Sequence, residues 1–131
     1  MVAKIVYWVS TLLFVALYAF SVYNYISDPV ASAAQYEGIG YPAYLVQVMI
    51  FVKLAGIAAV LVRRPVGLAQ LAYAGFFYHL LLAASAHIAA GIPGVEIAIV
   101  ALLLVLLSWL SQNAARGPGA AYVPNWFDRF A

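Results

Sequence analysis

The chain has 131 residues, of which 68% are apolar and 8% charged. A soluble domain is roughly half apolar and about a quarter charged, so this composition points to one domain in a lipid bilayer. A net charge of +2 gives no basis for nucleic-acid binding, and the absence of cysteine excludes disulfides, thiolate metal sites and dithiol relays.

Four apolar segments are long enough to span, near residues 5–26, 43–62, 68–90 and 95–110. A span needs about 20 residues at 1.5 Å each. The expected fold is all-α: a transmembrane, antiparallel four-helix bundle occupying residues 1–112. Residues 113–131 form a cytoplasmic or interfacial tail. Ala31-Ser32-Ala33 resembles a signal-cleavage site, but the apolar run before it exceeds a signal core, so the first segment reads as a retained span.

On the first span, helical spacing puts Ser10, Leu17, Ser21, Asn24 and Asp28 on one stripe. The connection after it is long enough to hold structure. Asp28 can cap, Pro29 suits a first helical turn and Gly38 can end it, which predicts a short helix over Pro29–Glu37 at the outer mouth.

The second span aligns Val46, Met49, Lys53, Gly56 and Val60. It ends in Arg63 and Arg64, which can sit in water. Lys53 has no such outlet. Insertion of an ammonium at the bilayer centre costs roughly 2.5–3.5 kcal/mol. Two outcomes relieve the cost: the amine faces inward to acceptors or water, or it gives up its proton. Snorkelling to headgroups is the alternative, but the side chain is short against a depth of about 15 Å.

RRPVG (63–67) and GIPG (91–94) read as tight turns, making the second and third spans, and the third and fourth, antiparallel neighbours. The third span lines up Ala72, Gly75, His79, Ala83, Ala86 and Ala90, a face of small residues around one imidazole. His79 lies about 16 Å from the outer end, close to the depth of Lys53. An interhelical hydrogen bond and a ligand or proton-handling role both suit it. His87 lies nearer the surface, where a pair with Glu96 across the GIPG turn would clasp that turn. The fourth span is the most uniformly aliphatic, which suggests the most lipid contact. It is short unless Ser111 and Gln112 extend it.

Lys4, Arg63, Arg64 and Arg116 flank one side of the spans, while Asp28, Glu37 and Glu96 flank the other. The positive-inside rule then places both termini in the cytoplasm. The closing NWFDRF mixes aromatics with charge and suits an interfacial anchor or a docking segment.

These placements define a polar pocket in the outer half, with Lys53 and His79 at its floor and Ser21 and Asn24 on its wall. Asp28, His87 and Glu96 stand at the mouth. Tyr78, beside His79 in YAGFFYH, is a further pocket candidate if aromatic side chains wall a flat molecule such as a quinone. The two histidines lie on one span about 12 Å apart and cannot sandwich a single haem. No metal-ligand cluster, phosphate loop or nucleophile elbow is present in the sequence, so no cofactor is required, although a quinone or a lipid would fit such a pocket.

FSVYNYISDP, GYPAYLVQVMIFVKLAGIAAVLV and AYAGFFYHLLLAASAHIAAG together resemble the DoxX-like family of small four-span membrane proteins, over roughly residues 5–110. The chain departs from it at Ser21-Val22, where the family often has Ser-Gly. The resemblance implies the four-helix fold and a bacterial inner-membrane setting. Its founding member is associated with a thiosulfate:quinone oxidoreductase, and distant relatives resemble membrane chaperones and trafficking receptors. With the polar floor and no catalytic constellation, the expected function is an accessory or assembly subunit, or a binder of a small hydrophobic molecule in the outer-half pocket; the expected partners are a larger membrane complex or further copies in a homo-oligomer. A membrane oxidoreductase component handling quinone or a sulfur compound is the alternative. A small transporter is a third, because interior ionisable groups often mark a pathway.

Overall fold

The computed structural model describes all 131 residues. In chain order the helices are α1 (Val2–Ser27), α2 (Pro29–Gly38), α3 (Leu45–Val62), α4 (Val66–Ala90) and α5 (Val95–Arg116), followed by a short 3-10 helix, Asn125–Phe130. All except α2 and the 3-10 helix are long and apolar enough to cross a membrane. The chain is thus a multi-pass helical bundle suited to a lipid bilayer.

The four long helices run up, down, up, down. α1 packs against α5 and α3, and α4 packs against the same two, so α1 faces α4 across the bundle and α3 faces α5. The connections have local causes. The Asp28 carboxylate accepts from the Ala31 amide at 3.0 Å, and Pro29 occupies the first turn, so α2 starts directly after α1 ends. α3 stops at Arg63 in the left-handed region, φ 55°, and α4 stops at Gly91, φ 64°.

Phe14, Tyr18, Val60, Tyr73, Phe76, Leu80, Ala101 and Val105 form the buried core. Phe76 is central, with ring centroids 5.4 Å from Phe14 and 4.5 Å from Tyr18. Gly56 makes room for it: a Cβ there would lie 2.8 Å from the tip of the Phe76 ring.

Two expectations about α5 are corrected. It continues to Arg116 rather than ending near residue 110, because Ser111 and Gln112 are buried against the bundle. It is also not the most lipid-exposed span. One third of its apolar window (33%) is buried, as in α1, against 22% in α3 and in α4. Ala98, Ala101, Val105, Ser108 and Ser111 recur at helical spacing and turn inward, which lets α1 approach closely.

The arginine expectation is also corrected. Arg63 is buried, at 6% exposure, and does not sit in water, although Arg64 does. Its guanidinium donates to the Gln112 and Asn113 side chains at 3.2 and 2.8 Å. It also donates to the carbonyls of Arg116 and Gly117, at 3.4 and 3.1 Å, where α5 ends. Arg116 returns the favour at the end of α3, donating to the carbonyls of Val60, Leu61 and Val62 at 2.8–3.4 Å. Each helix end leaves carbonyls without intrahelical partners, so the two helices complete one another across the bundle. Burial lowers the Arg63 pKa from its ordinary value, with Tyr7 opposing the shift. A guanidinium remains protonated regardless.

Beyond Arg116 the tail folds back. The Asn113 side-chain amide bonds both backbone groups of Ala120, at 2.9 and 3.2 Å. The 3-10 helix lies on α5 and α1. Trp126 and Tyr122 stay exposed.

Candidate functional site

The end of the bundle opposite the termini is hollow. A cavity of about 780 Å³ runs from Lys53 and His79 up to the connections at Gly38–Tyr41 and Ile92–Gly94. All five α-helices contribute to its lining, most of which is apolar. α2 closes one side by packing on α1 and α3.

Lys53 is 3% exposed and points inward. It stands eight residues into α3, about 12 Å from that helix end. Its ammonium donates to the Ser21 hydroxyl at 2.8 Å and the Tyr25 hydroxyl at 3.0 Å. It also sits 4.2 Å from the Tyr25 ring centroid and 5.6 Å from that of Tyr18, both within cation–π range. Three aromatic and hydroxyl groups of α1 thus take the place a carboxylate would otherwise fill.

His79 faces the same chamber from α4. Its Nδ1 lies 2.7 Å from the Tyr18 hydroxyl, and the tautomer sets which of the two donates. Its other nitrogen, Nε2, makes no hydrogen bond within the protein and is not sealed off, since no buried polar atom is left unpartnered. Tyr18 therefore links the two floor residues: it bonds one and lends its ring to the other.

Above the floor, the Tyr25 and Tyr36 hydroxyls meet at 3.0 Å, tying α2 to α1. Burial first, then the bond to Tyr25, raises the Tyr36 pKa, so that hydroxyl stays neutral.

Of the residues singled out from the sequence, the structure brings Ser21, Lys53, His79 and His87 onto this lining. Asn24 and Asp28 are exposed and do not line it. Glu96 is exposed in the first turn of α5 and is also outside. His87 closes the turn on the Pro93 carbonyl, with Nδ1 donating at 2.9 Å, instead of on Glu96. Tyr78 is 64% exposed and lines a separate cleft of about 290 Å³ between α4 and α5, with Gln70 and Trp109.

Tyr18, Tyr25 and Tyr36 are the lining side chains that stripe reasoning overlooked. The signal was available: Tyr18, Ser21 and Tyr25 recur at i, i+3 and i+7. The stripe through Leu17, Ser21 and Asn24 is rotated from it by one residue, and Asn24 is the more obviously polar neighbour.

What the arrangement can do is hold a molecule by one end. Lys53 and His79 stand at its floor, its walls are largely apolar, and Gln35, Tyr41 and His87 add polar groups nearer the mouth. No three His, Cys, Asp or Glu side chains converge to hold a metal ion.

A family model described as the DoxX-like family matches residues 9–111. No curated protein and no solved structure gives a match.

Proposed function

Taking as premise that the chain belongs to the DoxX-like family and spans the membrane, we propose that it binds a small amphiphile in the chamber, without chemistry of its own. The carrying observation is a cavity of about 780 Å³ with apolar walls and the Lys53 ammonium at its floor. Ligand sites commonly measure about 300–1,000 Å³ and combine apolar walls with a few placed polar groups. The amphiphile's polar end meets Lys53 and His79, and its apolar part lies among residues such as Leu17, Met49 and Ile97.

The orientation follows from charge. Lys4, Arg63, Arg64, Arg116 and Arg129 gather at the end bearing the termini, while the α2 end carries Asp28, Glu37 and Glu96 with no Lys or Arg. The positive-inside rule favours a cytoplasmic terminal end and a chamber facing the opposite side. The family resemblance favours a bacterial inner membrane. An accessory or assembly role in a larger complex, or self-association, is compatible with this binding. Purification from native membrane with a fixed set of larger subunits would establish it.

The test is extraction of what co-purifies. The wild-type protein, isolated in mild detergent, is expected to carry a bound amphiphile detectable by mass spectrometry, and the Lys53→Met variant to lose most of it. Identical extracts from both would overturn the reading.

A second reading, a redox component handling quinone, draws on the two groups that converge on the floor, Lys53 Nζ and His79 Nε2. Both can donate to a carbonyl oxygen. Co-purified quinone that changes redox state on adding a sulfur-compound donor would favour it.

A further inference from the structure

Resting on the reading of the chamber as a binding site, we infer that its ligand is anionic: a long-chain carboxylate, with its head between Lys53 Nζ and His79 Nε2 and its chain along the apolar wall.

Hydrogen-bond capacity gives the first reason. An ammonium has three N–H donors and no acceptor. Ser21 and Tyr25 accept two of them. The third has no protein partner. His79 Nε2 is similarly free. When Tyr18 donates to Nδ1, the imidazole proton sits on Nε2, and a second donor then faces the same space. A guest with closely spaced acceptor oxygens satisfies both.

Charge gives the second. The chain has four acidic residues, and none of them lines the cavity. Phenol rings and hydroxyls solvate the ammonium but do not neutralise it. A neutral carbonyl would take the spare N–H and leave the charge uncompensated at membrane depth, where charges are costly. A single carboxylate supplies both the acceptors and the one missing negative charge.

Shape gives the third. Lys53 and His79 lie at the inner end, and apolar residues such as Leu45, Met49, Leu82 and Ile97 predominate on the way out, with Gln35, Tyr41 and His87 nearer the mouth. A single apolar chain attached to one head matches this polarity.

The experiment measures binding of three probes to the full chain in nanodiscs: palmitate, its methyl ester and hexadecylammonium. Palmitate should bind at least tenfold more tightly than the ester, and the ammonium should bind weakest. Lys53→Gln should bring the palmitate-to-ester ratio near one. Equal binding of palmitate and ester by wild type would overturn the anionic assignment and leave the broader amphiphile reading standing. Failure of all three probes, together with no co-purified amphiphile, would overturn both. The wild-type ratio needs no variant, so the test stands even if Lys53→Gln does not fold. A diazirine-bearing carboxylate locates the site independently: it should label the chamber-facing part of α3 and α4 and be displaced by palmitate. Labelling confined to lipid-facing residues such as Phe51 and Leu71 would count against the assignment.

Discussion

Lys53 stands in the middle of α3 and Arg63 caps its end, and they are 3% and 6% exposed. Neither has a carboxylate among its hydrogen-bond acceptors. Arg63 is engaged by the fold: Gln112, Asn113 and two backbone carbonyls take four of its five N–H donors. Around it the terminal end is dense with paired groups. Thr11, Tyr73 and Ser108 meet at 2.6 and 2.7 Å, and Gln70 joins Gln112 to Trp109 at 2.8 and 2.9 Å. Lys53 borders open space and keeps a donor in reserve. The difference teaches that burial alone does not mark a buried cation as functional. What separates Lys53 from Arg63 is that its spare donor borders a chamber, whereas Arg63 lies outside that lining.

The comparison breaks most visibly at Arg63. Arg63→Ala removes four hydrogen bonds, strands the Arg116 and Gly117 carbonyls and leaves a Cβ residue at positive φ, so the loss should be about 3 kcal/mol. A lowered unfolding midpoint in detergent, or loss of folded yield, measures it. Arg63→Gly relieves only the backbone part, recovering about 1 kcal/mol. A full rescue by glycine would show that the guanidinium does not hold the terminal end together.

Gly56→Ala comes next. The new methyl would collide with Phe76 between the two regions, and overpacking costs about 1–3 kcal/mol. A thermal midpoint equal to wild type would mean that the ring moves freely.

Thr11→Val should cost less, about 1 kcal/mol, because Tyr73 and Ser108 keep each other. The same assay checks it, and a loss as large as that of Arg63→Ala would show the triad to be the stronger fastener.

The smallest effect on stability is expected at Lys53. Replacing a buried charge by an apolar side chain of similar size is often neutral or stabilising, so Lys53→Met should lie within about 1 kcal/mol of wild type or above it while losing its amphiphile. A collapse like that of Arg63→Ala would erase the contrast and make Lys53 a structural residue.

Much of the fold was legible because apolar runs of bilayer length leave few alternatives, and Pro-Gly turns fix which helices are neighbours. The inward direction of Lys53 and His79 follows from helical spacing on α3 and α4. The burial of α5 was not legible. In a span every face is apolar, so hydropathy carries no contrast between lipid and interior, and only the recurrence of Ala and Ser marks the packing side. The floor's tyrosines were obscured by their dual nature: the ring belongs equally to an interfacial belt, and the hydroxyl counts only once a partner is known. The burial of Arg63 depends on residues 49–54 positions away, which no local pattern contains.

The exchange of arginines at the terminal end has a consequence for inheritance. Each guanidinium reaches a fixed set of carbonyls on the opposite helix, so the lengths of α3 and α5 are locked to one another. A one-residue insertion near either end would rotate its arginine by about 100° and carry it out of reach. Related chains should therefore gain and lose residues in the loop around α2 or beyond the tail, and keep the distance from the lysine to the first arginine of the RRP turn constant.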